Sequence, residues 1–146
     1  MLTVEHFDRE LFHAGGSTPC VVSCGPGPDF AVSVVCEELS CRVSATGASL
    51  TRSFDSVRLV LEERGLLLGC AGARLDVTIT PLLEAEWDGR RAHLISTPRK
   101  STSQPLATLD IFDRAPSELV VTLLAQEAEA RAFARGKSKW SVTAGR

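Results

Sequence analysis

The fold of this chain is decided by residues 49–80, whose sequence is SLTRSFDSVRLVLEERGLLLGCAGARLDVTIT. Its first half has apolar residues at spacings of four, three and four, at Leu50, Phe54, Val57 and Leu61. That spacing is the period of one helix face and predicts an amphipathic helix, whose apolar stripe Val60 widens. Ser49 is a suitable N-cap residue, and Gly65 can adopt the left-handed conformation that ends a helix.

The predicted helix also has a polar side. Opposite the stripe lie Arg52, Asp55, Ser56, Glu62 and Glu63. Arg58 lies one turn before Glu62, so the two side chains can form an ion pair on the helix surface. An exposed pair of this kind adds only about 0.3–0.5 kcal/mol, so we expect it to contribute little to the stability of the fold.

An uncharged segment, Leu66–Ala71, follows the helix. A short apolar run beside glycines is typical of a strand buried on both faces, and burying each leucine contributes about 1.5–3 kcal/mol. Gly72–Arg74 then makes a tight connection to residues 75–80, in which apolar and polar side chains alternate. This alternation predicts a half-buried antiparallel strand, which ends at Pro81 because proline cannot donate to a sheet.

Further strands are predicted on both sides of this centre. Alternating patterns cover Phe30–Cys36, Cys41–Ala45, Arg91–Ser96 and Leu106–Phe112. Residues 1–13 fit either a helix or a strand, and residues 19–23 are a short β-prone run. The glycines and prolines of residues 25–29 predict a turn. The dipeptide Asp88-Gly89 is a hairpin signal, while residues 82–86 fit either an extension of the sheet or a turn.

A second main helix is predicted near the C-terminus. It begins near Pro116 or Ser117, or at the alternative N-cap residue Thr122, and runs to about Arg135 before Gly136. The residues assigned to its apolar face are Leu119, Val120, Leu123, Leu124 and Ala128. Basic residues in its last turns are favoured by the helix dipole and need no nucleic-acid partner to explain them.

These elements together predict one α+β domain over residues 1–146. We expect an antiparallel or mixed sheet of about six strands, with two main helices packed on one side. Residues 97–105 are polar and bounded by prolines, which predicts an exposed loop. Residues 137–146 form a polar C-terminal tail.

Composition and charge limit the classes of partner. The 146 residues carry a formal net charge of −2, whereas nucleic-acid-binding domains are usually strongly basic. Glu5, Asp8 and Glu10 argue against a secretory signal peptide. The longest uncharged run near the core, residues 65–73, is far shorter than the ~20 residues that span a bilayer. We therefore expect a cytoplasmic protein without a nucleic-acid or membrane partner.

The five cysteines favour a structural role. Cys20 and Cys24 are separated by three residues, and Cys36 and Cys41 by four, whereas zinc knuckles typically have two. An odd number of cysteines without an export signal favours reduced thiols, which are among the most buried side chains. We therefore expect no metal and no other cofactor. A zinc-bound domain that uses several of these cysteines is the weakest alternative.

One alternative makes the chain a small enzyme. Cys70 would be the nucleophile, His93 its base and Asp76 the residue that orients the base, an arrangement that activates a thiol. Asp110 is a second candidate for the orienting residue. Burial of Cys70 in an apolar run would instead raise its pKa and leave it inert.

Four polar residues are candidates for binding a partner. Arg74 and Asp76 lie two residues apart on the same side of the predicted strand, and the glycines beside them allow another backbone to approach closely. The pair is an anchor for a partner or, equally, a surface ion pair worth under about 1 kcal/mol. Arg99 and Lys100 lie in the exposed polar loop and are assigned to the same binding role.

The segment Leu67–Val77, LLGCAGARLDV, resembles a segment of small bacterial toxin-immunity proteins. Those proteins have a similar Gly-Ala-Arg-x-Asp-Val stretch after an amphipathic helix. Residues 111–113, IFD, followed by Pro116 and by Gln126-Glu127, are also similar, whereas residues 78–80 depart from the pattern. The resemblance implies a non-catalytic protein that binds another protein, such as a toxin encoded by a neighbouring gene.

The leading hypothesis is therefore a non-enzymatic cytoplasmic protein-binding domain of the immunity or accessory type. It depends on the lack of a nucleophile, base and acid at a recognisable spacing. The alternative is the small enzyme built around Cys70, Asp76 and His93. The sequence does not determine the partner or the oligomeric state.

Overall fold

The computed structural model describes residues 3–25 and 29–142. The strands of the larger sheet are β1 Glu5–His13, β2 Gly16–Gly25, β3 Phe30–Cys36, β4 Cys41–Gly47 and β5 Leu67–Leu68. The strands of the smaller sheet are β6 Val77–Thr78, β7 Arg91–Leu94 and β8 Ala107–Asp110. The helices are α1 Leu50–Glu63, α2 Pro81–Glu86 and α3 Leu123–Ala134. The strand orders are β4-β3-β2-β1-β5 and β6-β7-β8, and all pairs are antiparallel.

Strands β1 to β4 form a meander whose inner face is apolar. Side chains alternate between the two faces of a strand, and those that point inward are Leu11, Cys20, Val22, Cys24, Val32, Val34, Cys36, Cys41 and Val43. In the described residues, the ambiguity at residues 1–13 is resolved in favour of a strand. The predicted turn at residues 25–29 lies largely outside the described residues.

Helix α1 covers this inner face and packs on β3 and β4. Its buried apolar side chains are Leu50, Phe54, Val57 and Leu61. The predicted caps are confirmed: the Ser49 hydroxyl accepts a hydrogen bond from the Arg52 N–H, and Gly65 has a φ of +74°. The Leu66 N–H donates to the Leu61 carbonyl, as a helix end of the Schellman type requires.

Two predictions for α1 are wrong. Val60 does not widen the stripe, because its side chain is exposed. Arg58, expected on the surface beside Glu62, has only 1% of its side chain exposed. It lies four residues after Phe54 and three before Leu61, so the helical period places it on the buried face.

The apolar run after α1 is buried, but only β5 within it is a strand. Leu67 and Leu68 pair with β1 at the edge of the larger sheet, so the strand predicted over residues 66–71 shortens to β5. Residues 71–73 form a 3₁₀ turn instead. The Ala73 N–H closes this turn on the Cys70 carbonyl, and the Gly72 N–H donates to the Ile111 carbonyl, both at 2.9 Å.

The segments around the smaller sheet also differ from expectation. The strand predicted for residues 75–80 shortens to β6. Residues 82–86 belong to helix α2, for which the Thr80 hydroxyl is the N-cap acceptor. Pro81 stands in the first turn, where no N–H donor is needed. Asp88 and Gly89 have φ angles of 54° and 80°, and they connect α2 to β7 instead of forming a hairpin.

The C-terminal helix begins at the alternative cap. The Thr122 hydroxyl accepts a hydrogen bond from the Ala125 N–H, while residues 117–119 form a separate 3₁₀ turn. Gly136 ends the helix with a φ of +71°. The predicted apolar face is wrong at Leu124, which is 74% exposed, and at Ala128, which is also exposed. The buried residue of α3 is Gln126.

The α+β class is therefore confirmed, but its finer description is only partly right. The described strands fall into two sheets instead of one, and three α-helices replace the expected two. In the described part of the chain, no helix combines the length and apolar character that crossing a bilayer requires.

Replacing Gly72 by alanine should destabilise the fold. An added Cβ would lie 2.9 Å from both Ile111 Cβ and Phe54 Cε2, which are packed core atoms. We expect a loss of about 1–3 kcal/mol in the free energy of unfolding, measured by urea denaturation. Gly25→Ala is the matched control, because its nearest contact would be an ordinary 3.5 Å to Val4 Cγ2. Equal stability of the two variants would contradict the close approach at Gly72.

Candidate functional site

The three residues of the alternative enzyme site do not form one site. Cys70 is completely buried, and burial raises the pKa of its thiol to about 12. His93 Nε2 lies 3.3 Å from the Thr80 hydroxyl, and burial lowers its pKa. Among the described residues, no hydrogen bond joins Cys70, His93 and Asp76 to one another. This geometry gives the thiol no base and therefore does not support nucleophilic catalysis. Asp110, the second candidate for orienting the base, binds Arg90 instead.

Arg74 and Asp76 form an ion pair that is largely internal. Arg74 Nε and Nη2 donate to the two carboxylate oxygens of Asp76, each at 2.8 Å. The Ser96 hydroxyl donates to the same carboxylate at 2.7 Å. These hydrogen bonds lower the pKa of Asp76 against the opposing effect of burial. Asp76 is only 2% exposed, and its bonds to Ser96 and to the Ile95 N–H tie the start of β6 to the residues after β7. The ion pair therefore has a structural role, the alternative that the sequence analysis had placed level with binding.

Arg99 and Lys100 lie in the predicted exposed loop. The Arg99 guanidinium donates to the carbonyls of Thr102 and Gln104 at 3.3 and 3.0 Å. It also lies 5.7 Å from the centroid of the Phe133 ring on α3, which is a cation–π distance. The loop is therefore held against α3 while both basic side chains remain on the surface.

The cysteines are free and buried. Cys36 and Cys41 face each other across β3 and β4, and burial is the main reason that the pKa of Cys20 rises to about 12. Within residues 3–25 and 29–142, no three His, Cys, Asp or Glu side chains are arranged so that they could hold a metal ion. These cysteines fill space in the core, as the sequence analysis expected.

The most extensive buried polar cluster is centred on Arg58. Its Nη1 donates to Gln126 Oε1 at 2.7 Å and its Nη2 to the Val121 carbonyl at 3.1 Å. Asp55 and Glu62 contribute carboxylates at 3.3 and 3.6 Å. The side chain also lies over the Phe54 ring, 5.9 Å from its centroid.

Gln126 and Glu62 extend this cluster to the connected backbone. Gln126 Nε2 donates to the carbonyls of Gly72 and Arg74, both at 2.8 Å. The carboxylate of Glu62 accepts the N–H of Leu123, the first residue of α3, at 3.1 Å. The cluster therefore joins α1, the turn at residues 71–73 and α3. Among the described residues Arg58 Nε has no hydrogen-bond partner, and it lies 3.6 Å from Glu62 Oε2.

A cavity of about 210 Å³ lies beside this cluster, between α1, α3 and the smaller sheet. We call it the α1–α3 cavity, and it is lined by Thr51, Phe54, Asp55, Gly72, Val77, Thr78, Ile79, Ala92, Ile111, Leu123, Gln126, Glu127 and Ala130. Most of these side chains are apolar. Asp55 from α1 and Glu127 from α3 contribute carboxylates to it.

Asp55 has an unusual environment for a carboxylate. Burial raises its pKa to about 6, although the neighbouring Arg58 guanidinium lowers it, and the charge of Glu127 raises it further. Asp55 is therefore held ionised at neutral pH only at a cost to the folded state. A perturbed carboxylate in an apolar cavity is a common feature of binding sites.

The sequence analysis missed every member of this site. The position of Arg58 did indicate burial, because it lies four residues after Phe54 and therefore on the same helix face as Phe54, Val57 and Leu61. Gln126 likewise stands between Leu123 and Ala130 at helical spacing. Its charge alone assigned Arg58 to the surface, and the sequence analysis gave Gln126 no place in the helix.

Comparison with models of known protein families and with characterised proteins found no match. The resemblance to toxin-immunity proteins therefore stays a prediction.

Replacing Arg58 by methionine should destabilise the fold strongly. The change keeps an aliphatic side chain but leaves Gln126 Oε1 and the Val121 carbonyl without their donor. It also removes the cation that faces the carboxylates of Asp55 and Glu62. We expect a loss of about 3 kcal/mol in the free energy of unfolding, measured by urea denaturation. Arg52→Met is the control on the same helix, since 68% of its side chain is exposed, and it should change stability by less than about 0.5 kcal/mol. Similar losses in both variants would show that the buried cluster adds no more to the free energy of unfolding than an exposed arginine does.

Replacing Asp55 by asparagine should alter the pH dependence of stability. The folded-state pKa of about 6 is above the ordinary value of 3.8, so the folded state binds the proton more tightly. Stability of the wild type should therefore fall as pH rises from about 4 to 6, and asparagine lacks this effect. The variant should gain stability relative to the wild type from pH 4 to pH 7, as measured by urea denaturation. A difference that does not vary with pH would contradict the raised pKa.

Proposed function

We propose that this protein is a non-enzymatic binding domain of the immunity or accessory type, which seats a side chain of a protein partner in the α1–α3 cavity. The single observation that carries this proposal is the cavity itself. Its volume of about 210 Å³ lies below the ~300–1,000 Å³ of pockets that enclose drug-sized ligands. A cavity of this size suits one anchoring side chain better than a complete cofactor or substrate.

The arrangement of charges around α3 supports a protein partner as well. Asp55 and Glu127 place negative charge at the cavity, while Arg99 is held over Phe133, one helical turn after Ala130. Lys100 is the next residue of the same loop. Charges of both signs on one surface guide the orientation of a protein partner. Arg99 and Lys100 thus keep the binding role predicted for them, whereas Arg74 and Asp76 support the scaffold.

Filling the cavity should weaken binding without unfolding the protein. Ala130 is a half-buried residue of α3 that lines the cavity, so the phenyl ring of Ala130→Phe would occupy it. Ala128→Phe is the control, because Ala128 is exposed on the same helix. The protein would be co-expressed with the products of neighbouring genes, and the affinity for any product that co-purifies measured by calorimetry.

We expect Ala130→Phe to weaken the complex at least about tenfold, as loss of a central anchor does, while Ala128→Phe leaves the affinity unchanged. Circular dichroism and urea denaturation establish that both variants fold. Equal affinity of the two variants would refute a role of the cavity. Failure of every neighbouring gene product to co-purify with the wild type would count against the immunity or accessory function.

A further inference from the structure

We propose that the α1–α3 cavity selects a lysine or arginine side chain, in which a cation stands on an aliphatic stem. This inference rests on the proposed function and specifies the chemistry of the partner. It starts from two properties of the lining. The walls from the smaller sheet and its flanks are uncharged, and the charged residues that line the cavity are both carboxylates.

The apolar wall of the cavity can pack against the aliphatic stem of a lysine or arginine side chain. Phe54, Val77, Ala92 and Ile111 are buried side chains that face a space not filled by the protein. The four methylene groups of a lysine side chain, or the three of an arginine side chain, can lie along such a surface while the charged end stays near polar groups. An acidic side chain would instead meet two like charges.

The net charge near the cavity explains why the bound side chain should be a cation. Asp55, Glu62 and Glu127 are three carboxylates whose charges act on the single buried guanidinium of Arg58. Arg58 is already bonded to Gln126 and to the Val121 carbonyl. Arg131 reaches Glu127 only at 4.0 Å, and more than half of each side chain is exposed. The cavity therefore keeps an excess of negative charge, which a cation from a partner would balance.

Selection for a cation should also depend on pH. Asp55 takes up a proton near pH 6, and the charged groups that face it are Arg58 and Glu62 on α1 and Glu127 on α3. Protonation removes the negative charge of one of the two carboxyl groups that line the cavity. The preference for a cation should therefore be present at pH 7 and weaken at pH 5.

The test uses small analogues of the side chains and the full-length protein. n-Propylguanidinium and n-butylammonium are titrated into isotopically labelled protein at pH 7, and 1-pentanol serves as a neutral analogue of similar length. Amide shifts of Thr78, Ala92 and Ala130 report binding in the cavity. We expect the cations to bind roughly three- to fivefold more tightly than pentanol, the range of a partly exposed ion pair. Ala130→Phe should abolish the shifts from all three probes.

Charge variants identify the cause of the preference. Glu127→Gln should reduce the advantage of the cations while every hydrogen bond of Arg58 stays in place, and Asp55→Asn should reduce it in addition. Glu129→Gln is the control, because Glu129 lies on the same helix but does not line the cavity. Pentanol binding as tightly as the cations would refute the selection for a cation and leave the cavity as a seat for an apolar side chain. Absence of shifts with every probe would refute this inference. The proposed function is tested separately, by the affinity of the Ala130→Phe variant for the protein partner.

Discussion

The structure depends on a buried guanidinium. Arg58 is surrounded by groups from α1, from the turn at residues 71–73 and from the start of α3. Burial lowers its pKa, and the nearby carboxylates act in the opposite direction. A buried charge is costly unless it is both paired and hydrogen-bonded. The position of α3 is therefore constrained, because Gln126 and the Val121 carbonyl accept hydrogen bonds from Nη1 and Nη2 of the guanidinium.

This polar constraint explains why a cavity remains beside a packed core. Apolar helix surfaces usually approach until their side chains interlock, with few voids. The inward residue of α3 is Gln126, which is held by Arg58 and by the carbonyls of Gly72 and Arg74. The next inward residue is the small Ala130. Hydrogen-bond geometry thus fixes the separation of α1 and α3, and the alanine leaves space that no neighbouring side chain fills.

Burial and hydrogen bonding also make the candidate catalytic groups of the chain unreactive. The Cys70 thiol is enclosed by the run of residues that connects the two sheets, and the Asp76 carboxylate is fully engaged by Arg74 and Ser96. A nucleophile needs a base within hydrogen-bond reach, and the described residues offer none to Cys70. The polar groups at the α1–α3 cavity and in the loop of Arg99 and Lys100 suit recognition better than covalent chemistry.

The sequence by itself determined the local elements whose signals lie within a few residues. The caps of α1, the alternation of β3 and β4 and the glycine that ends α3 all follow from spacing and backbone preference, which act over one or two turns. Only the tertiary structure decided that the apolar run would bend at Gly72, that Asp76 would turn inward and that Arg58 would become the centre of the core. These outcomes depend on partners such as Ile111, Ser96 and Gln126, which lie 20 to 68 residues away. A charged side chain is buried only where such distant partners satisfy it, so no local pattern could have revealed the cavity or its carboxylates.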